Sequence, residues 1–340
     1  MNAIAAVTRT VERLALPDGV TRAGIGLLVD RTRRKLIRAG FGDEAAFAAA
    51  MADYPIAEHV GAANEQHYEL PPEFFALVLG PRRKYSCCLY DDVATLADAE
   101  ERALAETAHH AALADGQHIL ELGCGWGSLS LWMAERFPAA RITAVSNSQA
   151  QRGFIEAEAA RRGFGHLRVV TSDMNDFAAD RRFDRVVSVE MFEHMSNWTA
   201  LLRRIHPWLL PGGRVFLHVF SHRSTPYRFD HRDKSDWIAQ HFFTGGVMPS
   251  HGLIRHLPIP FAVEDEWRWS GSHYRRTAED WLANYDAHAD AIGRILTRIY
   301  GADAPLWHRR WRLFFLATAR LFGDSNGATW GVSHYRLRPL

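Results

Sequence analysis

The 340-residue sequence carries 40 Lys and Arg against 39 Asp and Glu, a formal net charge of +1, so no global field draws the chain to nucleic acid or to an anionic bilayer. Its three cysteines, Cys87, Cys88 and Cys124, give no disulfide framework because the adjacent pair would be strained, and a reducing, cytoplasmic setting is expected. The length admits one α/β core with appendages; no run of roughly eighteen apolar residues suits a membrane span, and the first residues lack the apolar segment of a signal peptide.

In chain order, apolar residues at three- and four-residue spacing over 20–52 predict one or two amphipathic helices broken between Gly40 and Gly42. The segment 64–75 interrupts that pattern with Pro71 and Pro72, which suit a new helix start, and 97–113 reads as a further helix ending near Asp115 and Gly116. Five β-branched runs then alternate with helical stretches, at 118–122, 141–145, 168–171, 185–189 and 214–220, and predict a doubly wound parallel sheet. Residues 221–269 are polar, aromatic and punctuated by Gly and Pro, as in a lid over strand ends. Helices are expected at 277–299 and 305–322, and 330–337 as an antiparallel edge strand. The expected organisation is a helical N-terminal extension over 1–95, a Rossmann-like core over 96–220, a lid and helical substrate region over 221–322, and an edge strand within 323–340. The aromatic, Arg-rich C-terminal helices admit peripheral contact with lipid, and a homodimer is the default assembly.

The chemistry concentrates at strand ends. The first predicted strand runs into Glu121, Gly123, Gly125 and Gly127 and then a helix, where glycines permit a sharp turn and close approach of a ligand. The acidic residue before the turn and the strand-helix context favour adenosylmethionine over a dinucleotide; either site would want an acid at the end of the second strand, which instead ends at Asn147 and Ser148, so Asn147 or Gln151 is left to bind the sugar hydroxyls. After the third strand, Asp173 and Met174 can accept from an adenine amino group and pack on its ring; a solvated turn would read the same. The fourth strand leads into Glu190, Glu193 and His194, which a helix would bring onto one face. A histidine beside carboxylates suits removal of a proton from an ammonium substrate, although acids at a plain helix start give the same pattern. Trp267, Trp269 and Tyr274 suit either a pocket for a cationic or planar substrate or the core. No metal site is expected, since only His218 and His222 approach ligand spacing, at a strand end and in the loop after it.

Together these residues resemble the coclaurine N-methyltransferase branch of the cyclopropane-fatty-acyl-phospholipid synthase and mycolic acid methyltransferase superfamily. The resemblance runs from about residue 55 to the end, through 66–75, 85–90, the glycine turn, Asn147 with Ser148 and Gln151, 190–194, 269–277 and 330–335. It implies a class I methyltransferase fold in which Tyr85, Ser86, Gly123, Gly125, Asn147, Gln151, Asp173 and Met174 contact S-adenosylmethionine, with Glu121 counted among the cofactor-site residues. In the amine-methylating members, the residues matching Glu190, Glu193 and His194 bind the amine and remove its proton. In the lipid synthases, those matching Cys87, Glu193, His218 and Tyr274 hold a bicarbonate that acts as base toward a carbocation. Glutamate at 190, where the synthases typically carry glycine, favours a small cyclic or aromatic amine as acceptor. The alternatives are methyl transfer to an unsaturated phospholipid acyl chain and adenosylmethionine binding without turnover.

Overall fold

The computed structural model describes residues 12, 14, 16–38, 43–58 and 70–340. The expected break between Gly40 and Gly42, and residues 59–69, which include the first half of the 64–75 segment, lie outside them. Helices α1 (Asp18–Arg38), α2 (Glu44–Ala50), α3 (Pro72–Val78) and α4 (Leu96–His110) precede the sheet. Pro72 opens α3, having no N–H to leave unpaired in the first turn, and the Thr95 side chain caps α4 by accepting the Asp98 N–H.

The core alternates β1 (His118–Leu122), α5 (Ser128–Arg136), β2 (Arg141–Ser146), α6 (Gln149–Arg162), β3 (Leu167–Thr171), β4 (Phe183–Val189), α7 (Trp198–Ile205) and β5 (Leu209–His222). There follow β6 (Tyr227–Arg228), α8 (Trp237–His241), β7 (Val247–Met248), β8 (Phe261–Ser270), α9 (Gly271–Ala287), α10 (Ala289–Tyr300), α11 (Ala304–Phe322) and β9 (Trp330–Pro339). The main sheet has seven strands in the order β3-β2-β1-β4-β5-β9-β8. Its first five are parallel, as the alternation of strands and helices predicts, and β9 runs antiparallel to both neighbours. Ser148 and Asn197 cap α6 and α7, so the helices begin where the strands release the chain.

Three expectations are corrected. Strand β9 is interior, not an edge, because β8 pairs along its outer side. Strand β8 falls within the stretch expected to be lid; its acids, which break the apolar alternation, form a charged sheet edge in which Glu264 binds Arg214 at 2.8 Å and Arg336 at 3.0 Å, a device that discourages further pairing. The chain after β4 does not continue as a helix: Glu190 has φ +48° and only a 3₁₀ turn over Phe192–His194 follows, so the single helical face for Glu190, Glu193 and His194 does not form.

Beyond the sheet, α9 and α11 carry an aromatic core in which Trp281, Trp311 and Trp330 are almost wholly buried. No described helix is long and apolar enough to cross a membrane.

Candidate active site

The turn between β1 and α5 has the backbone of a ligand cradle. Gly123, Gly125 and Gly127 all have positive φ, at 79°, 52° and 77°. A Cβ at Gly123 would stand 2.5 Å from the Met191 side chain and one at Gly127 2.6 Å from Ile155, whereas nothing lies within 4 Å of one at Gly125. Neighbours thus demand glycine at the outer two positions, and open space beside the middle one lets a ligand meet bare backbone.

Polar atoms near this turn await partners. Gln151 is buried, and its Oε1 accepts the Ser146 hydroxyl at 2.6 Å, which fixes the amide and leaves Nε2 without a partner among the described residues. Ser128 Oγ and Trp126 Nε1 are likewise buried and unpartnered. Orphaned donors cost about 1–3 kcal/mol each, and a cofactor rich in hydroxyl and amino groups satisfies them; the residues fit S-adenosylmethionine. Asn147 sits at the carboxyl end of β2, partly exposed. Asp173 uses one carboxylate oxygen to accept the Asn175 N–H at 2.8 Å, and Met174 packs in the core. Tyr85 packs between Phe75 and Trp281, and Ser86 Oγ accepts the Lys84 ammonium at 2.5 Å. Glu121 lies buried beneath the turn, bonded to the Ser130 hydroxyl of α5. Burial pushes its carboxyl up to about 8, and it ties β1 to α5.

The second focus is the Glu190 carboxylate. Its Oε1 accepts the Cys87 N–H at 2.9 Å and lies 3.2 Å from His218 Nε2, while Oε2 accepts the Tyr274 hydroxyl at 2.7 Å. Burial raises the Glu190 pKa, opposed by the nearby Lys84 ammonium and by the Cys87 and Tyr274 donors. Glu193 is fully buried; Oε1 accepts the Phe220 N–H at 2.6 Å and Oε2 has no partner among the described residues. Burial, then the Glu190 charge, push Glu193 well above the usual carboxylate range. Two such groups do not ionise together, and the donors on Glu190 make it the first to carry charge. His194 is partly exposed, with its ring centroid 4.4 Å from that of Phe243.

The expected shell residues divide. Cys87, His218 and Tyr274 converge on Glu190, as above, and Tyr274 stacks on Phe322 at 4.2 Å. The two tryptophans divide: Trp267 stacks on His110 at 3.8 Å, whereas Trp269 packs edge-on against the shell residue His218 at 5.3 Å and against His334 at 4.3 Å. Three contributors escaped the sequence reading. Lys84, buried beside Ser86, follows Arg82 and Arg83 and reads as a solvated charge run; His110 and His334 stand 224 positions apart, and no local spacing links them. The aromatic residues of the lid do reach the site, with Phe243 lying 5.4 Å from Phe220 and 4.8 Å from Phe229. Among the described residues no cluster of His, Cys, Asp and Glu could hold a metal ion.

Residues 58–329 match the mycolic acid cyclopropane synthetase family. The chain is 34% identical over 285 residues to (S)-coclaurine N-methyltransferase of Thalictrum flavum subsp. glaucum, covering 82% of this chain and 79% of that protein. It is 27% identical over 266 residues to the cyclopropane-fatty-acyl-phospholipid synthase of Escherichia coli K12, covering 74% of this chain and 67% of that one. The crystal structure of coclaurine N-methyltransferase bound to N-methylheliamine and SAH superposes with a TM-score of 0.92 at 31% identity, over 99% of both chains.

Proposed function

Because the chain belongs to the mycolic acid cyclopropane synthetase family and is an S-adenosylmethionine-dependent methyltransferase, we propose that its methyl acceptor is the nitrogen of a small cyclic or aromatic amine. The observation that carries this reading is the position of the Glu190 carboxylate. Three of the four residues matched to a bicarbonate shell in the lipid synthases, Cys87, His218 and Tyr274, direct the Cys87 N–H, an imidazole nitrogen and the Tyr274 hydroxyl at Glu190, while the fourth, Glu193, accepts the Phe220 N–H. The chain supplies its own carboxylate where that anion would lie, so these residues do not fit a bicarbonate. A fixed internal carboxylate suits a cation that enters as substrate.

The cofactor, when bound, supplies an activated methyl group for in-line attack, a step governed mainly by positioning. The protein prepares the nucleophile. An amine arriving as ammonium meets a carboxyl oxygen of Glu193 that has no partner among the described residues and the faces of Phe220 and Phe243, which favour a cation. His194, beside Phe243, accepts the proton as general base and exposes the nitrogen lone pair, and Glu190 balances the remaining positive charge. The resemblance to coclaurine N-methyltransferase, whose solved complex holds N-methylheliamine, points the same way.

One feature favours a lipid acceptor instead: α1 exposes Val20, Leu27 and Ile37 among exposed Arg22, Arg31, Arg34 and Arg38, a mixed basic and apolar surface of the kind that rests on a bilayer. Turnover in bicarbonate-depleted buffer separates the readings. An amine-methylating enzyme with its own carboxylate keeps its rate, whereas loss of activity on depletion and recovery on adding bicarbonate would overturn the proposal.

A further inference from the structure

Glu190 is the inner end of a chain of hydrogen-bonding groups that leaves the site. His218 Nε2 lies 3.2 Å from Glu190 Oε1, His218 Nδ1 lies 2.8 Å from His334 Nε2, and His334 Nδ1 lies 2.7 Å from His110 Nδ1. His110 Nε2 in turn stands 2.9 Å from Oε1 of Glu106. The fold builds this line from three elements: His218 and His334 are register partners on β5 and β9, and His110 ends α4. The inner end is sealed, the Glu190 side chain being 8% exposed and those of His218 and His334 fully buried. The outer end opens, with the Glu106 side chain 27% exposed. Trp267, Trp269 and Phe216 wall the rings.

Counting hydrogens shows what the line can do. Burial lowers all three histidine pKa values, that of His110 to about 4, so each ring is neutral and carries one N–H. Three rings then supply three hydrogens to four contacts. The fourth is a carboxyl proton, and only two arrangements make all four bonds. With the proton on Glu190, every donor points outward, and His334 carries its hydrogen on Nδ1. With the proton on Glu106, every donor points inward, and His334 carries it on Nε2. Passage between them breaks the Glu190 O–H, moves one hydrogen across each contact and forms the Glu106 O–H; the three histidines stay neutral, and the negative charge passes from Glu106 to the buried Glu190 carboxylate.

We propose that Glu190, His218, His334, His110 and Glu106 form a proton relay through which the sealed carboxyl exchanges its proton with solvent. Resting on the amine reading, its use is charge compensation: Glu190 sends its proton out when a cationic amine enters and recovers it when the methylated product leaves. The charged and titratable groups facing the line are Lys84, Cys87, Tyr274 and Glu193 at the inner end and His109 and Arg336 at the outer end. None of them interrupts it.

The test is the rate of proton exchange at Glu190, followed by the infrared carbonyl stretch of its carboxyl after a pH jump in the absence of amine, the band being assigned by its loss in Glu190→Gln. Glu106→Gln, at the surface, and His334→Gln, in the middle, remove a proton carrier while keeping a hydrogen-bonding side chain. Both should slow the exchange at least about ten-fold and leave its amplitude unchanged, a pattern that mere loosening of the structure would not give. Exchange at the parent rate in both variants, or a slow phase in His334→Gln alone, overturns the relay. A parallel stopped-flow experiment uses an indicator dye and a quaternary tetrahydroisoquinolinium, which has no proton of its own to lose. Proton release on binding supports the compensation role; slow variants in the pH jump with no release on binding would retain the relay and remove its link to an amine.

Discussion

Glu190 holds the Tyr274 hydroxyl 2.7 Å from Oε2 while its own backbone sits at φ +48°. A non-glycine residue in this left-handed region costs roughly 1–2 kcal/mol, and here the turn brings the carboxylate among the donors of three separate segments.

Replacing Tyr274 by Phe removes one of the donors that hold the Glu190 pKa down. The carboxyl then ionises at higher pH, so the acid limb of a kcat/KM profile on an amine substrate moves upward, with a rate loss of about ten-fold near neutrality. An unmoved acid limb would detach Glu190 from turnover.

Glu190→Gly relieves the backbone but leaves the Cys87 N–H, Tyr274 hydroxyl and His218 facing an empty position. Amine turnover should fall by about a hundred-fold or more and recover in part when formate or bicarbonate is added. A variant with full activity, or one that neither anion restores, contradicts the assignment of the carboxylate.

Gly123→Ala places a methyl group 2.5 Å from the Met191 side chain at φ +79°. Calorimetry should show a stability loss on the order of 1–3 kcal/mol and adenosylmethionine affinity reduced at least about ten-fold, whereas the same change at Gly153, inside α6 where nothing lies within 4 Å, should leave affinity unchanged and stabilise the fold by up to about 1 kcal/mol. Equal behaviour of the two variants would show that the turn is not a cradle.

Glu121 provides a pH test of stability. Its pKa rises from the ordinary 4.5 to about 8 in the folded protein, so the folded state retains a proton that the unfolded state gives up. Stability from this group is complete below about 4.5 and is lost as pH rises through about 8. Glu121→Gln, which keeps a partner for Ser130, should flatten the decline of Tm between those limits, and an unchanged decline would assign it to other groups.

Local features were legible where local forces decide them. The five β-branched runs became β1 to β5 with ends shifted by a few residues, and the glycine turn lies where Glu121 and the following helix put it. Long-range pairing was not legible: nothing within 330–339 says that it inserts between β5 and β8, and Glu264 and Asp265 look like loop until that insertion turns them into a sheet edge. The spacing of Glu190, Glu193 and His194 suggested a helical face because a glutamate gives no sign of a positive φ. Cys87 and His218 were assigned to the site through family resemblance and Tyr274 was also legible as a pocket aromatic, but their convergence on Glu190 depends on four strands and a helix closing together. His110 and His334 became visible only in register.

The most direct test of the central claim is mass-spectrometric detection of methyl transfer from isotopically labelled S-adenosylmethionine, offered in parallel to a panel of tetrahydroisoquinolines and to liposomes with unsaturated acyl chains. Gain of one labelled methyl group on an amine nitrogen is the predicted result. Label confined to the lipid fraction would contradict it and make the acyl chain the acceptor.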